Sequence, residues 1–252
     1  MLSCVEALWH GLIPASEGAD AKIPAHQTSQ GWRQNRMIIL YHCAAARSFR
    51  ALWTLEELGL PYDLRMLPFP PRVLAKEYLA LNPLGTIPLL LDGDTRMTES
   101  AAIAQYLVTR YGPTPLAVGA EEPDFGAFLN WLHFGEATLT FPQTLVLRYT
   151  QLEPEERRNP QVATDYAKWF FGRLRGIEAV VADRDMLCGG RFTAADISVG
   201  YALLLAQSIG LSKDFTPGVA AYWQRLQARD GFRRAIEAEN LAGERQKVAR
   251  RS

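Results

Sequence analysis

The pattern of apolar residues changes character at a Pro- and Gly-rich segment, roughly residues 112–123. Short apolar runs alternate with helical patterns before this segment, whereas long amphipathic stretches follow it. A composition shift at such a segment marks a domain boundary. The sequence therefore predicts an α/β domain at 37–113, a linker at 114–122 and an all-helical domain at 123–240.

The α/β part is predicted to have the element order βαβ, then α, then ββα. A buried strand at 37–42 precedes a helix that starts at Ser48 and that Gly59 ends. This order predicts a parallel pair of strands joined by a crossover helix, followed by a terminal hairpin. The other predicted elements are strands at 62–67, 87–91 and 96–98 and helices at 73–81 and 101–111.

The second half is predicted to be helical, with Pro, Gly and Asn residues between its amphipathic stretches. Thr193 and Asp196 have the spacing of a capping box, with Asp in place of the usual Glu. We interpret Asp196 as a structural N-cap of a central helix rather than as a catalytic acid. The predicted stretches are 123–150, 160–182, 194–210 and 217–238.

The two terminal segments differ from the rest of the chain. Residues 14–36 are rich in Ser, Gly, Ala and Gln, a composition typical of disorder. We therefore expect 1–36 to be a disordered extension and Met37 to be the functional start. A basic tail is predicted at 241–252, and its basic run, Arg245–Arg251, is interpreted as a solvated, frayed terminus.

The balance of charges and the positions of the cysteines limit which partners and which cellular compartment we expect. The 27 Lys and Arg residues balance 27 Asp and Glu residues, so charge gives no indication of nucleic acid or an acidic membrane. Cys4, Cys43 and Cys188 lie far apart, without the spacing of a metal or redox site, which favours a reducing compartment. No apolar run reaches the roughly 18 residues of a membrane helix. We expect a cytoplasmic protein with no metal, no nucleic-acid partner and no membrane partner.

Four motifs, in order along the chain, resemble those of cytosolic glutathione S-transferases. Arg50–Tyr62 is similar to the first helix and second strand of that family, and Leu81–Pro88 to its proline loop. Thr98–Leu107 is similar to its substrate-binding helix, and Gly190–Ser198 to its buried capping box. The resemblance covers about 37–240 and is greatest to the bacterial and fungal branch of theta-like and yeast-type enzymes. It implies an α/β thioredoxin-like N-terminal domain followed by an all-α C-terminal helical domain.

The resemblance implies a glutathione-binding site formed by Thr86, Ile87, Pro88, Glu99 and Ser100. In relatives the bond before the proline is cis, and the backbone of Ile87 pairs with the cysteinyl backbone of glutathione like an added strand. Ser100, at a helix N-terminus, is expected to donate to the γ-glutamyl carboxylate, and Glu99 to accept from the α-ammonium group. The structural alternatives are an edge-strand proline, a turn residue at Thr86 and ordinary capping by Glu99.

Ser48 and Arg47 are the candidates for activating the glutathione thiol, because Ala45 and Ala46 occupy the positions where related enzymes carry Ser. Ser48 would act as a hydroxyl donor and Arg47 through its positive charge. Ser48 is first of all a candidate N-cap. Cys43 is interpreted mainly as a small buried residue, with a mixed disulfide to glutathione as the alternative. The absence of Cys at the usual loop position disfavours a thiol–disulfide reductase.

The electrophile is expected to bind between the two domains. Trp131, His133, Phe134 and Tyr201 are the candidate pocket residues, although aromatic residues at helical spacing are also typical of a core. Their character favours a small hydrophobic electrophile.

The predicted function is that of a glutathione S-transferase, with glutathione as co-substrate. The reaction would be conjugation, dehalogenation, isomerisation or peroxide reduction, in detoxification, and the family implies a homodimer. The alternative is a non-catalytic transferase-like interaction or regulatory module, which the missing loop serine favours. Binding of glutathione together with turnover of an electrophile separates the two hypotheses.

Overall fold

A mixed sheet lies at the centre of the N-terminal half. The computed structural model describes residues 37–248. β1 (Ile38–His42) pairs in parallel with β2 (Tyr62–Met66) and antiparallel with β3 (Leu89–Asp92), which pairs antiparallel with β4 (Thr95–Met97). The strand order β2-β1-β3-β4 confirms the predicted parallel pair and terminal hairpin, and with them the thioredoxin-like fold.

Two helices that contact each other pack on this sheet. α1 (Phe49–Leu58) crosses from β1 to β2 and ends at Gly59, as predicted. Gly59 has a φ of 62°, a left-handed conformation that glycine adopts without a steric penalty. α3 (Ser100–Arg110) follows β4. Both helices contribute their buried apolar faces to the main core.

The segment between β2 and β3 is less regular than predicted. In place of one helix at 73–81, it forms α2 (Pro71–Leu74) and a 3-10 helix (Lys76–Ala80). The break lies at Ala75, whose φ of −139° and ψ of 69° leave the helical region. Tyr78 anchors the segment, since it is buried and its ring centroid lies 5.5 Å from that of Tyr41 on β1.

The helical half begins with one long helix in which π-helical turns interrupt the α-helix. α4 (Phe125–His133) continues through a π-helix (Phe134–Thr140) into α5 (Phe141–Leu147) and a second π segment. Gly135 permits the close approach of the π-helix to its neighbour, because a Cβ there would lie 2.5 Å from the backbone of Ser198. The remaining helices are α6 (Pro160–Val181), α7 (Ala194–Ser208), α8 (Pro217–Gln227) and α9 (Asp230–Gln246).

α7 is the central helix of this half, and its first ten residues are all buried. It starts with the predicted capping box, in which the Asp196 side chain accepts from the Thr193 N–H at 2.9 Å. Asp196 also accepts from the Leu187 N–H at 3.1 Å and from the Tyr222 hydroxyl at 2.8 Å. The interpretation of Asp196 as a buried structural cap is confirmed.

The apolar core runs without interruption from the α/β half into the helical half. Trp53 on α1 is fully buried, and its ring centroid lies 5.8 Å from that of Phe192 and 5.0 Å from that of Phe232. Gly200 on α7 approaches the same ring so closely that a Cβ there would lie 2.7 Å from it. The predicted linker therefore joins two halves that share one core.

Two helix boundaries near the C-terminus differ from the prediction. The stretch 217–238 is two helices rather than one, because the backbone of Arg229 is extended (φ −71°, ψ 139°). α9 also continues to Gln246, into the segment predicted as a frayed tail. The side-chain amide of Gln246 accepts from the Met66 N–H at 2.9 Å and donates to the Leu64 carbonyl at 2.7 Å, which ties the helix end to β2.

The predicted extension at 1–36 and residues 249–252 lie outside the described residues. No helix within residues 37–248 combines the length and the apolar character that are needed to cross a bilayer. The same part of the chain holds no group of three or more His, Cys, Asp or Glu side chains arranged for a metal ion.

Candidate active site

The loop before β3 is held by hydrogen bonds from the segment that precedes it. The Ile87–Pro88 peptide bond is cis, as predicted, and the sheet pairing of β3 starts only at Leu89. The side chain of Thr86 is exposed. Its carbonyl oxygen accepts from the Tyr78 hydroxyl and the Asn82 side-chain amide, both at 2.8 Å. The peptide groups of Ile87 therefore lie outside the strand ladder, on a loop fixed by side chains from the preceding segment.

Asn82 and Tyr78 are supporting residues that sequence reasoning missed. Asn82 is buried, and its Oδ1 also accepts from the Leu84 N–H at 3.2 Å. A signal was available, because Asn side chains commonly hydrogen-bond the backbone two residues further on in turns. The role of Tyr78 had no such signal, since its partner is set by how the 3-10 helix packs against the loop.

The start of α3 is suited to an anionic group. Glu99 occupies the N-cap position with an exposed side chain that makes no capping hydrogen bond. Ser100 is 3% exposed, and its hydroxyl oxygen accepts from the Arg50 guanidinium at 3.1 Å. A hydroxyl that accepts from a cation keeps its own proton for donation, and the first N–H groups of a helix have no partner within the helix. These groups and the helix dipole favour a carboxylate at this position.

Arg50, on α1, is fully buried and connects four elements of the fold. Its guanidinium donates to the Glu136 carboxylate at 2.5 Å, to the Thr140 hydroxyl at 2.8 Å and to the Ser198 carbonyl at 3.1 Å. Its Cζ lies 4.4 Å from the centroid of the Tyr201 ring. Burial lowers the pKa of this guanidinium, although the charge of Glu136 opposes the shift. An arginine remains protonated in proteins, so Arg50 is a buried cation held by several acceptors.

Glu136 lies between two guanidinium groups. One of its oxygens accepts from Arg50 and the other from Arg47, each at 2.5 Å. Burial would raise the pKa of this carboxyl, but the charges of Arg50 and Arg47 hold it below its ordinary value. We call these three residues the guanidinium cluster. Two positive charges against one negative charge leave the cluster with a net positive charge beside Ser100.

The π-helix contributes Glu136 to the guanidinium cluster and places Thr140 beside it. The Thr140 hydroxyl donates to the carbonyl of Gly135, five residues earlier, at 2.7 Å. The Ser198 hydroxyl of α7 donates to the Leu132 carbonyl at 2.6 Å, just before the π-helix. π-helical turns are rare and occur often at functional sites. Sequence reasoning missed this feature, because the apolar spacing of the stretch is that of an ordinary helix.

Arg47 lies at the outer edge of the guanidinium cluster. Its side chain is 34% exposed, and it donates to the Thr144 hydroxyl at 3.0 Å. Burial alone would lower the pKa of Arg47, but the charge of Glu136 and the hydrogen bond to it raise that pKa above its ordinary value. Glu136 also bonds Arg50, which donates to Ser100 at the start of α3. Arg47 therefore remains a candidate for stabilising an anion.

Ser48 does not reach the surface of the site. The loop between β1 and α1, residues 43–48, is called the thiol loop below. Ser48 stands at the N-cap position of α1, but it makes no capping hydrogen bond and is fully buried. Its hydroxyl bonds His42 Nδ1 at 2.7 Å and accepts from the Cys43 N–H at 3.4 Å. The interpretation of Ser48 as a side-chain cap is corrected, because its hydroxyl makes no capping bond. Its role as a direct donor to a ligand thiol stays a prediction, which the bond to His42 in the interior disfavours.

Cys43 is a buried residue of the thiol loop. Burial, and then the negative charge of Glu239, raise the pKa of its thiol to about 12. A thiol is nucleophilic as a thiolate, so a buried and protonated Cys43 is poorly reactive. This favours the interpretation of Cys43 as a small apolar residue over the mixed-disulfide alternative.

Three of the candidate pocket residues lie on the long helix. The rings of Trp131 and Phe134 lie 5.0 Å apart, and a Cβ on Gly176 of α6 would lie 3.8 Å and 3.9 Å from them. These contacts favour the core role that the sequence analysis left open for these two residues over the pocket role. His133 is exposed at the end of α4. The side chains of a helix point to different faces, and the face of the long helix that meets the thiol loop carries Glu136, Thr140 and Thr144 instead.

Tyr201 does contact the thiol loop, because its hydroxyl donates to the Ala45 carbonyl at 3.5 Å. It is buried, however, so it supports the loop from the interior and does not form an exposed surface of a pocket. The open cleft beside the loop has a volume of about 660 Å³ and is lined largely by α9, which sequence reasoning did not associate with the site. Its lining includes Ala44, Met66, Glu239, Asn240, Gly243 and Val248.

Comparison with known proteins bears on this arrangement. A sequence profile described as "Glutathione S-transferase, N-terminal domain" matches residues 46–110, which include Arg47, Arg50 and Ser100. Glutathione S-transferase 3 of Schizosaccharomyces pombe is 28% identical, over 80% of this chain and 87% of its own length. Glutathione S-transferase 4 of Zea mays is 31% identical, over 71% of this chain and 82% of its own length. The chain belongs to the glutathione S-transferase family.

A solved structure extends the agreement to three dimensions. The glutathione transferase URE2P6 of Phanerochaete chrysosporium, solved in complex with oxidized glutathione, is 26% identical and has a TM-score of 0.72. The match covers 82% of this chain and 97% of that chain. This glutathione S-transferase therefore combines the family fold with a thiol loop that has alanine at positions 45 and 46.

Proposed function

We propose that this glutathione S-transferase binds glutathione between the cis-proline loop and the start of α3 and activates its thiol for attack on a small hydrophobic electrophile. The guanidinium cluster carries the proposal, because its Arg50 donates to Ser100 while its net charge is positive. A helix N-terminus supported by a buried cation is favourable for the γ-glutamyl carboxylate of glutathione.

The other contacts follow from where the polar groups lie. Ser100 donates its hydroxyl proton to the γ-glutamyl carboxylate, and the exposed carboxylate of Glu99 accepts from the α-ammonium group. The peptide groups of Ile87 pair with the cysteinyl backbone as an added strand would. Pro88 and Thr86 shape this loop. Glutathione is then a co-substrate that is consumed, and the proposal invokes no metal.

Arg47 and the N-terminus of α1, rather than Ser48, are proposed to stabilise the thiolate. A nearby cation and the positive end of a helix dipole both lower a thiol pKa. Arg47 is partly exposed and belongs to a cluster with a net positive charge. Ser48 contributes indirectly, through its hydrogen bonds inside the thiol loop.

The cleft beside the thiol loop is proposed as the electrophile site. Its lining also includes the charged residues Glu239, Glu244 and Lys247, and the apolar part formed by Ala44, Met66 and Val248 is proposed to contact a small hydrophobic electrophile. The thiolate attacks the electrophilic atom and forms a thioether, and the leaving group departs with its bonding electrons. The same site serves dehalogenation, in which the leaving group is a halide, and other glutathione-dependent steps that start with the thiolate.

A homodimer in the cytoplasm, acting in detoxification, completes the proposal. Val73, Leu74 and Leu84 are apolar residues with exposed fractions of 56%, 60% and 66%, and a second copy of the chain would cover them. The far-separated cysteines suit a reducing compartment. Gel filtration at twice the chain mass of 28.2 kDa supports the dimer, and elution at that mass contradicts it.

The proposed function is tested by calorimetric titration of glutathione and by assaying the same sample with a chloronitroarene electrophile. Saturable binding with turnover is the expected result. Glu99→Gln removes the charge that faces the α-ammonium group and is expected to weaken binding. Glu121→Gln, at an exposed residue outside the site, is the matched control and is expected to bind as the unmodified chain does.

Binding without turnover of several electrophiles would support the alternative of a glutathione-binding regulatory module. No binding at millimolar glutathione would overturn the roles of Ile87, Glu99 and Ser100. Equal effects of Glu99→Gln and Glu121→Gln would remove Glu99 alone from the site.

A further inference from the structure

A carboxylate from the last helix reaches into the thiol loop. Glu239, on α9, is 3% exposed. Its Oε2 accepts from the Ala45 N–H at 3.0 Å and bonds His42 Nε2 at 2.7 Å. These bonds join residues that are 194 and 197 positions apart in the sequence. Burying a carboxylate is unfavourable unless it is well bonded, so both partners contribute to holding Glu239 in place.

A chain of hydrogen bonds passes through His42. The Cys43 N–H donates to the Ser48 hydroxyl oxygen, the Ser48 hydroxyl bonds His42 Nδ1, and His42 Nε2–H donates to Glu239. The carboxylate of Glu239 can only accept, so His42 carries a proton on Nε2. Through Glu239, this series of hydrogen bonds starts in the thiol loop at Cys43 and ends in the same loop at Ala45.

Ala45 adopts a backbone conformation that needs support. Its φ is 54°, in the left-handed region, which is unfavourable for an alanine because of its Cβ. Glu239 accepts from its N–H, and the Tyr201 hydroxyl donates to its carbonyl. Both sides of the residue are therefore held by side chains from the helical half.

We propose that Glu239 is a positioning residue of the thiol site. It holds Ala45 in the left-handed conformation and so sets where Ala46 and Arg47 lie beside the glutathione thiol. The kinetic part of this inference rests on the proposed function, whereas its conformational part concerns the thiol loop alone.

The kinetic test compares Glu239→Ala with Glu239→Gln. Loss of both hydrogen bonds in Glu239→Ala is expected to lower kcat roughly 10- to 100-fold, since small misplacements of a reacting group have effects of this size. The KM for glutathione should change less, because Ser100 is held by Arg50. Glutamine keeps an oxygen where Oε2 lies and should retain most of kcat. Glu237→Ala, at an exposed residue of the same helix, is the control.

A second substitution tests whether Glu239 acts through Ala45. Glycine adopts a positive φ without a Cβ penalty. Ala45→Gly is therefore expected to restore part of the kcat lost in Glu239→Ala, and this gain should exceed the effect of Ala45→Gly in the unmodified chain. Equal effects of Ala45→Gly in the two backgrounds would show that Glu239 does not act through this residue.

A third measurement does not depend on activity. Cys43 lies inside the thiol loop, and Cys188 is also buried but belongs to the segment before α7. Labelling with an aromatic disulfide reagent, followed by peptide mapping, gives the rate at each thiol. Glu239→Ala is expected to accelerate labelling at Cys43 by at least about tenfold while Cys188 keeps its rate, because local opening differs from global unfolding.

The outcomes separate the two proposals. Parallel acceleration at Cys43 and Cys188 would overturn the positioning role, since Glu239 would then support only overall stability. Unchanged labelling together with unchanged kcat would overturn it as well. If the unmodified chain shows no turnover, the proposed function fails, and the ratio of the two labelling rates still decides whether Glu239 holds the loop.

Discussion

The proposed glutathione side of the site, from the cis-proline loop to the start of α3, and its proposed thiol side, around the thiol loop, are built in different ways. On the glutathione side, the bonds that shape the proline loop join Thr86 to residues four and eight positions away, Asn82 and Tyr78. On the thiol side, Arg47 bonds Glu136, which is 89 positions away, and His42 bonds Glu239, which is 197 positions away. The bonds of the first side thus join residues that are close in sequence, whereas the bonds of the second side come from residues of the helical half.

This difference leads us to expect that the two sides tolerate sequence change differently. A loop held by its own neighbours needs a short motif, and that motif is present in this chain. A loop held from other helices depends on residues scattered over the chain, so the usual serine can be absent while the loop keeps a defined conformation. Arg50 belongs to both sides, since it donates to Ser100 and to Glu136.

Arg50→Met should have the largest effect, because it removes the connection between the two sides. Breaking a buried ion pair by removing one partner costs about 3–5 kcal/mol, so we expect a loss of this size in the free energy of unfolding. Denaturant unfolding measures it. Arg65→Met is the control, since Arg65 is 57% exposed in its pair with Asp63. Equal losses for the two variants would contradict the bridging role of Arg50.

Gly135→Ala tests whether the thiol side depends on the approach of the π-helix to α7. A Cβ would lie 2.5 Å from the Ser198 backbone, which cannot move easily, so we expect a loss of about 1–3 kcal/mol together with reduced turnover. Gly126→Ala is the matched control on α4, where a Cβ meets nothing within 4 Å. It should stabilise the chain by about 0.5–1 kcal/mol. Thermal unfolding of the pair gives the sign of each change.

Ser100→Ala sharpens the comparison from the glutathione side. Loss of a hydrogen bond to a charged group is worth about 1.5–3 kcal/mol, which corresponds to roughly 10- to 100-fold weaker binding of glutathione.

Ser48→Ala should instead change kcat more than affinity, because Ser48 acts inside the thiol loop. Calorimetry and steady-state kinetics measure the two effects. Ser208→Ala, at the exposed end of α7, is the control and should change neither quantity.

The smallest expected effect is the pH dependence contributed by Glu136. Its folded-state pKa is lowered against an ordinary value of about 4.3, so its stabilising contribution is present above that value and is lost as the pH falls through the folded-state pKa. Unfolding free energies measured from neutral to acidic pH should show this loss. Glu136→Gln should remove that component, whereas Glu237→Gln, at an exposed residue, should keep it. An unchanged acid slope in Glu136→Gln would contradict this assignment.

Most of the fold was predictable, because its signals lie within short stretches of sequence. The strand and helix patterns of the N-terminal half, the end of α1 at Gly59 and the capping box of Thr193 and Asp196 depend on neighbours in the chain. The errors lie where distant contacts decide the outcome. α9 continues to Gln246 because the amide of that residue bonds the backbone of β2.

The candidate site divides in the same way. The cis bond of Ile87–Pro88 and the position of Ser100 at the start of α3 follow from local motifs. The burial of Ser48 and the helix-packing role of Trp131 do not, because they depend on which face of a helix meets which neighbour. Helical periodicity shows that a face is apolar, but it does not show what that face contacts.

The sequence by itself determined the element order, the thioredoxin-like half and the helical half, and it singled out the residues of the proposed glutathione side. These features arise from backbone hydrogen bonding and side-chain periodicity, which act over a few residues. Only the tertiary structure decided that Arg50 is the buried support of the site, that Glu136 joins it to Arg47, and that Glu239 reaches the thiol loop. Such contacts form when distant helices pack on one core, and no short stretch of sequence contains both partners.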